Sequence, residues 1–140
     1  MSAARADGVA DARPAVAPAP ETPLALIVDD SPFLALHLAR LLDAQGLQAR
    51  IPADAAELRA LAGSAAMIFV ELELFAASGF EVTRELAASC NCPLVLLTGT
   101  GRTTDRQWGL RAGARAVLPR PLTAAALGRT LSMLGFVENG

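Results

Sequence analysis

From Leu24 onward, short unbroken apolar runs alternate with longer stretches in which apolar residues recur every three or four positions. The run LALIV has no polar interruption, as in a strand buried on both faces. The polar DDSP follows, where Ser31 suits a helix N-cap and Pro32 the first helical position. Leu34, Leu38 and Leu41 then repeat at helical spacing until Gly46 ends the helix. The cycle continues along the chain. LQARI reads as a short second strand, and ADAAELRALAG as a helix capped by Asp54 and stopped by Gly63. AMIFVEL is a third buried strand, with a helix from Gly79 to Ala88. PLVLLT is a fourth, and TTDRQWGLRAG a weaker helix, weakened further by Gly109. AVLP makes a fifth strand, and TAAALGRTLSMLG a last helix capped by Thr123.

Five strands alternating with five helices predict an α/β protein, a doubly wound parallel sheet covered on both faces. The domain is expected over residues 23–135, with a short tail at 136–140. Residues 1–22 are rich in Ala and Pro without periodicity and cannot repay the entropy of ordering, so a disordered arm is expected there.

With 140 residues, the chain can bury a core without metal or disulfide help. Its mean hydropathy of +0.40 reflects abundant alanine. No apolar run approaches the ~20 residues of a membrane span, and MSAARADGVADARPAVAPAP has no apolar signal-peptide core. A soluble cytoplasmic protein, with no membrane partner, is expected. Cys90 and Cys92 in SCNCP have no second ligand cluster, which favours two loop thiols over a metal site. The net charge of −2 is unevenly placed: residues 1–85 hold 12 acids and 6 arginines, residues 86–137 hold 6 arginines and a single acid, Asp105. A basic face in the second half follows. Every basic residue is an arginine.

Open parallel sheets bind ligands beyond the carboxyl ends of their strands. Those ends carry Asp29 and Asp30, Glu71 and Glu73, Thr98, and Arg120. Clustered carboxylates repel, so such a crevice needs protonation or a cation. Its oxygen donors suit Mg²⁺.

VDD at the end of the first strand, an acid eight residues before Gly79, LLTG at the end of the fourth strand and GARAVLPRP through the fifth occur in order. Together they resemble the CheY-like receiver domain of two-component response regulators over about Pro23 to Leu134. The resemblance implies a flavodoxin-like receiver fold with strand order 2-1-3-4-5, and an aspartyl-phosphate switch run by Mg²⁺ and a histidine kinase. Asp29 and Asp30 then match the metal-binding acidic pair, and Thr98 the hydroxyl that turns toward the phosphoryl group. Several positions depart from the pattern. Glu71 stands at the phosphoacceptor position in place of aspartate, Arg120 in place of lysine, Val117 in place of the switch aromatic, and Phe75 where proline is common.

One extra methylene advances the Glu71 carboxylate by about 1.5 Å, and misplacement of that order can cost ~100-fold in rate. Glu71 is therefore expected to be a poor acceptor and a partial imitation of the charged product. The Arg120 fork can pair bidentately with a carboxylate. The plainer alternative is a satisfied polar residue held by Arg120. Phosphorylation-independent use is expected, in an active-like or an unswitched state, with Mg²⁺ bound weakly or not at all.

In the fourth helix Leu110 is the expected core residue, which turns Trp108 outward among Arg106, Arg111 and Arg115. Trp and Arg dominate interface hot spots, so helix four, strand five and helix five form the expected face for a signalling partner or a homodimer. His37 flanks the first helix's apolar stripe, a surface-edge position. GTGRTTD lacks both the dinucleotide and the phosphate-loop pattern and reads as a turn. An interaction module rather than an enzyme is expected. Two other readings stand beside it: a working Mg²⁺-dependent phospho-accepting switch, and an anion- or nucleotide-binding module using the arginines of residues 102–129. Nucleic acid is not an expected partner.

Overall fold

The computed structural model describes residues 22–136. The elements are β1 (Leu24–Val28), α1 (Pro32–Ala44), β2 (Gln48–Arg50), α2 (Ala55–Ala62), β3 (Met67–Glu71), α3 (Gly79–Ser89), β4 (Leu94–Thr98), α4 (Thr103–Ala112), β5 (Ala116–Pro119) and α5 (Ala124–Met133). All strands are parallel, in the order β2-β1-β3-β4-β5. The predicted doubly wound sheet, its strand order and its five helices are therefore present. The expected arm lies outside the described residues except for Thr22, as does the tail beyond Phe136. Among the described residues no helix is long and apolar enough to cross a membrane.

Successive strand residues face opposite sides of the sheet, which divides the apolar runs between two cores. Ala25, Ile27, Met67, Phe69, Val95 and Leu97 join Leu38, Leu42, Leu127 and Leu131 beneath α1 and α5. Leu26, Ile68, Val70, Leu94, Leu96 and Val117 form the opposite core with Ala62 of α2 and Leu86 of α3. The predicted caps are made: Ser31 accepts from Leu34 N, Asp54 from Glu57 N and Thr123 from Ala126 N.

Two helix faces differ from the sequence reading. In α1 the buried stripe is Ala35, Leu38 and Leu42, while Leu34 and Leu41 are half-buried at its margin. Alanine fits where the helix lies nearest the sheet, and hydrophobic size does not flag it. In α4 the inward residues are Gly109 and Ala112, and Leu110 is 42% exposed. A Cβ at Gly109 would come within 2.8 Å of Val117 Cγ2 and 2.9 Å of Leu96 Cδ2. The glycine that weakens α4 as an isolated helix is what lets it lie close on β4 and β5.

Gly79 has a similar cause. Its N–H donates to the Leu72 carbonyl at 2.8 Å, and a Cβ there would collide with the Glu71 carbonyl oxygen and Leu72 Cα. The start of α3 thus folds directly over the end of β3. The spacing between Glu71 and Gly79 records that contact.

Candidate functional site

The carboxyl ends of β1, β3 and β5 bring Asp29, Glu71 and Arg120 together. Leu97 separates Glu71 from β5 in the sheet register, and the Arg120 N–H donates to the Thr98 carbonyl at 2.8 Å. That bond continues the β4–β5 pairing one residue past the strand and aims the arginine back across the sheet. Its Nε and Nη2 donate to Glu71 Oε1 at 3.0 and 2.9 Å, and Nη2 also donates to Asp29 Oδ2 at 2.9 Å. The other oxygens are held by backbone. Glu71 Oε2 accepts from Glu73 N, and Asp29 Oδ1 from Ser31 N, both at 3.0 Å.

All three side chains are withdrawn from solvent, at 2% exposure for Asp29, 8% for Glu71 and 14% for Arg120. Burial pushes the Asp29 carboxyl above its usual range. The Ser31 N–H and the Arg120 guanidinium pull it back, and the Glu71 and Asp30 charges push it up again. Two acids share one cation, so the cluster carries a net negative charge when both are ionised.

The pairing differs from a fork-to-fork arrangement. Two N–H groups converge on one Glu71 oxygen because the other faces the β3–α3 turn. This leaves Nη2 able to reach Asp29. A divalent cation does not fit this arrangement: no oxygen of Asp29 or Glu71 is uncommitted, and the guanidinium already bridges them. Asp30 turns away from the triad, and its Oδ2 accepts from Phe75 N at 2.6 Å. Glu73 is exposed and contributes its backbone N–H rather than its carboxylate. The crevice therefore does not gather four carboxylates. Repulsion is reduced by dispersing two of them.

Thr98 is 1% exposed and turns toward the β4–α4 turn. Its Oγ1 accepts from Thr100 N and pairs with Thr100 Oγ1, both at 3.1 Å, while the Thr100 hydroxyl donates to Asp105. The Thr98 hydroxyl makes no hydrogen bond to the side chain of Glu71 or Arg120. The sequence reading placed Thr100 and Asp105 in the GTGRTTD turn but did not identify them as the partners that hold the Thr98 hydroxyl. Val117 is buried under α4.

Beside Asp29 and Asp30 lies an apolar pocket of about 430 Å³, walled by Pro52, Leu58, Leu74, Ala77 and Val82. Trp108 is 55% exposed and Phe75 90%. The Arg111 guanidinium lies 5.7 Å from the Trp108 ring centroid, within cation–π range. Arg106 is exposed on the same helix. Arg115 lies past the helix end, beside Cys90 and Cys92.

The sequence profile of the response regulator receiver domain matches residues 25–132. Protein PilH of Pseudomonas aeruginosa is 30% identical over 112 residues, covering 76% of this chain and 93% of PilH. The transcriptional regulatory protein CpxR of Klebsiella pneumoniae, its Haemophilus influenzae homolog and protein PetR of Rhodobacter capsulatus also match, but the chain spans only 42–43% of their length. A Burkholderia pseudomallei response regulator, solved with a phosphorylated aspartic acid, calcium ion and citrate, is similar at TM-score 0.68 and 26% identity. That likeness covers 78% of this chain and 66% of the other. Vibrio cholerae CheY4 superposes at TM-score 0.71 and 23% identity, over 81% of this chain and 99% of its own, and shares the fold.

Proposed function

Because the chain belongs to the response regulator receiver family, its role is read from the phosphorylation crevice, and we propose that it is a pseudo-receiver that signals without being phosphorylated. One observation carries this reading: Arg120 bridges Glu71 and Asp29. A phosphoacceptor carboxylate needs an oxygen free to attack in line and a metal to neutralise the donor. Here both Glu71 oxygens are engaged, and the guanidinium supplies the positive charge that the acids require. Mg²⁺ binds weakly, because it must displace that guanidinium from a buried position.

The state is an unswitched one. The Thr98 hydroxyl is bonded to Thr100 rather than drawn toward Glu71, and Val117, which stands in place of a switch aromatic, is buried beneath Gly109. Such a domain works in the cytoplasm by docking to another signalling protein, a histidine kinase or an effector, or to a second copy. The exposed Trp108, with Arg106 and Arg111, offers the surface on α4.

Incubation with acetyl phosphate and Mg²⁺, followed by intact mass measurement, tests the reading. No added phosphoryl group is expected on wild-type protein. Mg²⁺-dependent labelling at Glu71 would overturn it in favour of a working switch.

A further inference from the structure

Cys90 and Cys92 stand apart from the Arg120 triad, in the turn from α3 to β4. Both are half-buried free thiols with their sulfurs 3.8 Å apart. The Cys90 thiol donates to the Leu86 carbonyl at 3.0 Å, which leaves the Cys92 thiol to point at the Cys90 sulfur. Asn91 between them is exposed, so the intervening side chain does not resist a tightening of the turn. A disulfide needs the sulfurs at about 2.0 Å, an approach within reach of rotations about the two Cα–Cβ bonds and a small closing of the turn. Beside the pair a cleft of about 220 Å³ opens, lined by Ala87, Pro93, Gly113 and Arg115.

We propose that Cys90 and Cys92 are a redox dithiol that closes to an intrachain disulfide by exchange with a low-molecular-weight, anionic disulfide admitted to the cleft beside Arg115. The step balances as follows. The Cys90 thiol loses its proton and its sulfur attacks one sulfur of the incoming disulfide. A mixed disulfide forms, and one small thiolate leaves and takes a proton. The Cys92 sulfur then attacks the Cys90 sulfur, expelling the second small thiolate, which takes the Cys92 proton. The two cysteines lose two electrons and two protons, and one small disulfide becomes two small thiols.

The surroundings set the order. Burial, reinforced by the charge and hydrogen bonding of Cys90, pushes the Cys92 thiol up to about 12, so it stays protonated while Cys90 is free. Once Cys90 is capped, its charge and hydrogen bond no longer add to the effect of burial on Cys92, and the Cys92 sulfur, already beside it, resolves the adduct. Closure also removes the Cys90 thiol donor from the Leu86 carbonyl in the last turn of α3. That turn packs against α4, where Ala87 meets Gly113.

The test uses the reduced full-length chain and oxidised glutathione, with intact mass after acid quench. Wild type should lose two hydrogen masses, keep no glutathione, remain a monomer on a non-reducing gel and recover with dithiothreitol. Cys92→Ser should retain one glutathione on Cys90, and Cys90→Ser should react at least about tenfold more slowly. Arg115→Ala should slow the reaction with oxidised glutathione several-fold and leave that with cystamine, a cationic disulfide, unchanged. A wild-type protein that accumulates the glutathione adduct, forms disulfide-linked dimers or stays unmodified overturns the proposal. Equal rates for the two serine variants overturn the order, and equal slowing of both disulfides by Arg115→Ala overturns the role of the cleft.

Discussion

Arg120 places two N–H groups, Nε and Nη2, on a single oxygen of Glu71, at 3.0 and 2.9 Å. The second oxygen belongs to the Glu73 N–H, so the arginine has reach to spare, and Nη2 extends to Asp29. The extra methylene of glutamate thus serves as a strut as well as a displacement. It carries the carboxylate into the space where an arginine from β5 can hold it and an acid from β1 together.

Removing the shared cation should cost more than removing either acid. Arg120→Ala leaves two buried carboxylates facing each other, and breaking a buried pair in this way costs roughly 3–5 kcal/mol. Urea denaturation at neutral pH measures it. A loss under about 1 kcal/mol would mean that the triad behaves as an exposed pair.

The Asp29 carboxyl lies above its ordinary value of 3.8 in the folded protein. The folded state therefore binds its proton more tightly than the unfolded chain does. The stability this gives is fully present below that ordinary value and is lost as pH rises through the folded one. Asp29→Asn keeps the shape without the charge. Its stability should gain on that of wild type as pH is raised across this window, in urea titrations at stepped pH. A constant difference would show that Asp29 does not titrate on its own.

Restoring the acceptor should need two changes. Glu71→Asp shortens the side chain, and Arg120→Lys exchanges the planar fork for a point charge. The double variant should take up Mg²⁺-dependent label from acetyl phosphate and lose it in mild base, as an acyl phosphate does. Wild type should take up none, and millimolar Mg²⁺ should leave its melting point unchanged. A double variant that remains unlabelled would place the defect elsewhere, with the β3–α3 turn at Phe75 the first suspect.

Gly109→Ala should destabilise, although alanine is the better helix former by about 1 kcal/mol. The new Cβ meets Val117 and Leu96 inside contact distance, and overpacking typically costs 1–3 kcal/mol. Val117→Ala should rescue part of that loss in a double-mutant cycle. Additive effects would mean that α4 shifts outward instead.

Trp108→Ala should weaken association with a partner or second copy by ~2 kcal/mol and leave the melting point unchanged. Lost stability with unchanged association would make Trp108 a packing residue that shields α4 with Arg111.

Much of the architecture was legible because four of the five strands, all but the edge strand Gln48–Arg50, are built on unbroken apolar runs, and such runs stay in place only between two layers of helices. The residues closing those runs were legible as site residues for the same reason, since strand ends are where the sheet opens to a ligand. Helix faces were harder to read. At α1 and α4 the closest contacts fall on Ala35 and Gly109, small residues that hydrophobic periodicity passes over. Leu110 carried the stronger signal and stayed half in water.

The ordered series of strands, helices and caps was determined by the sequence itself, because each depends on neighbours a few residues away. Only the tertiary structure decided which donor meets which acceptor at the strand ends. Arg120 joins partners 49 and 91 residues distant, and the choice among four acids rested on sheet register, side-chain reach and competing backbone N–H groups. Asp30 is taken by Phe75, Glu73 remains in solvent, and Thr98 is held by Thr100. A hydrogen bond is settled within a few tenths of an ångström, a precision that exists only once the strands have been brought side by side.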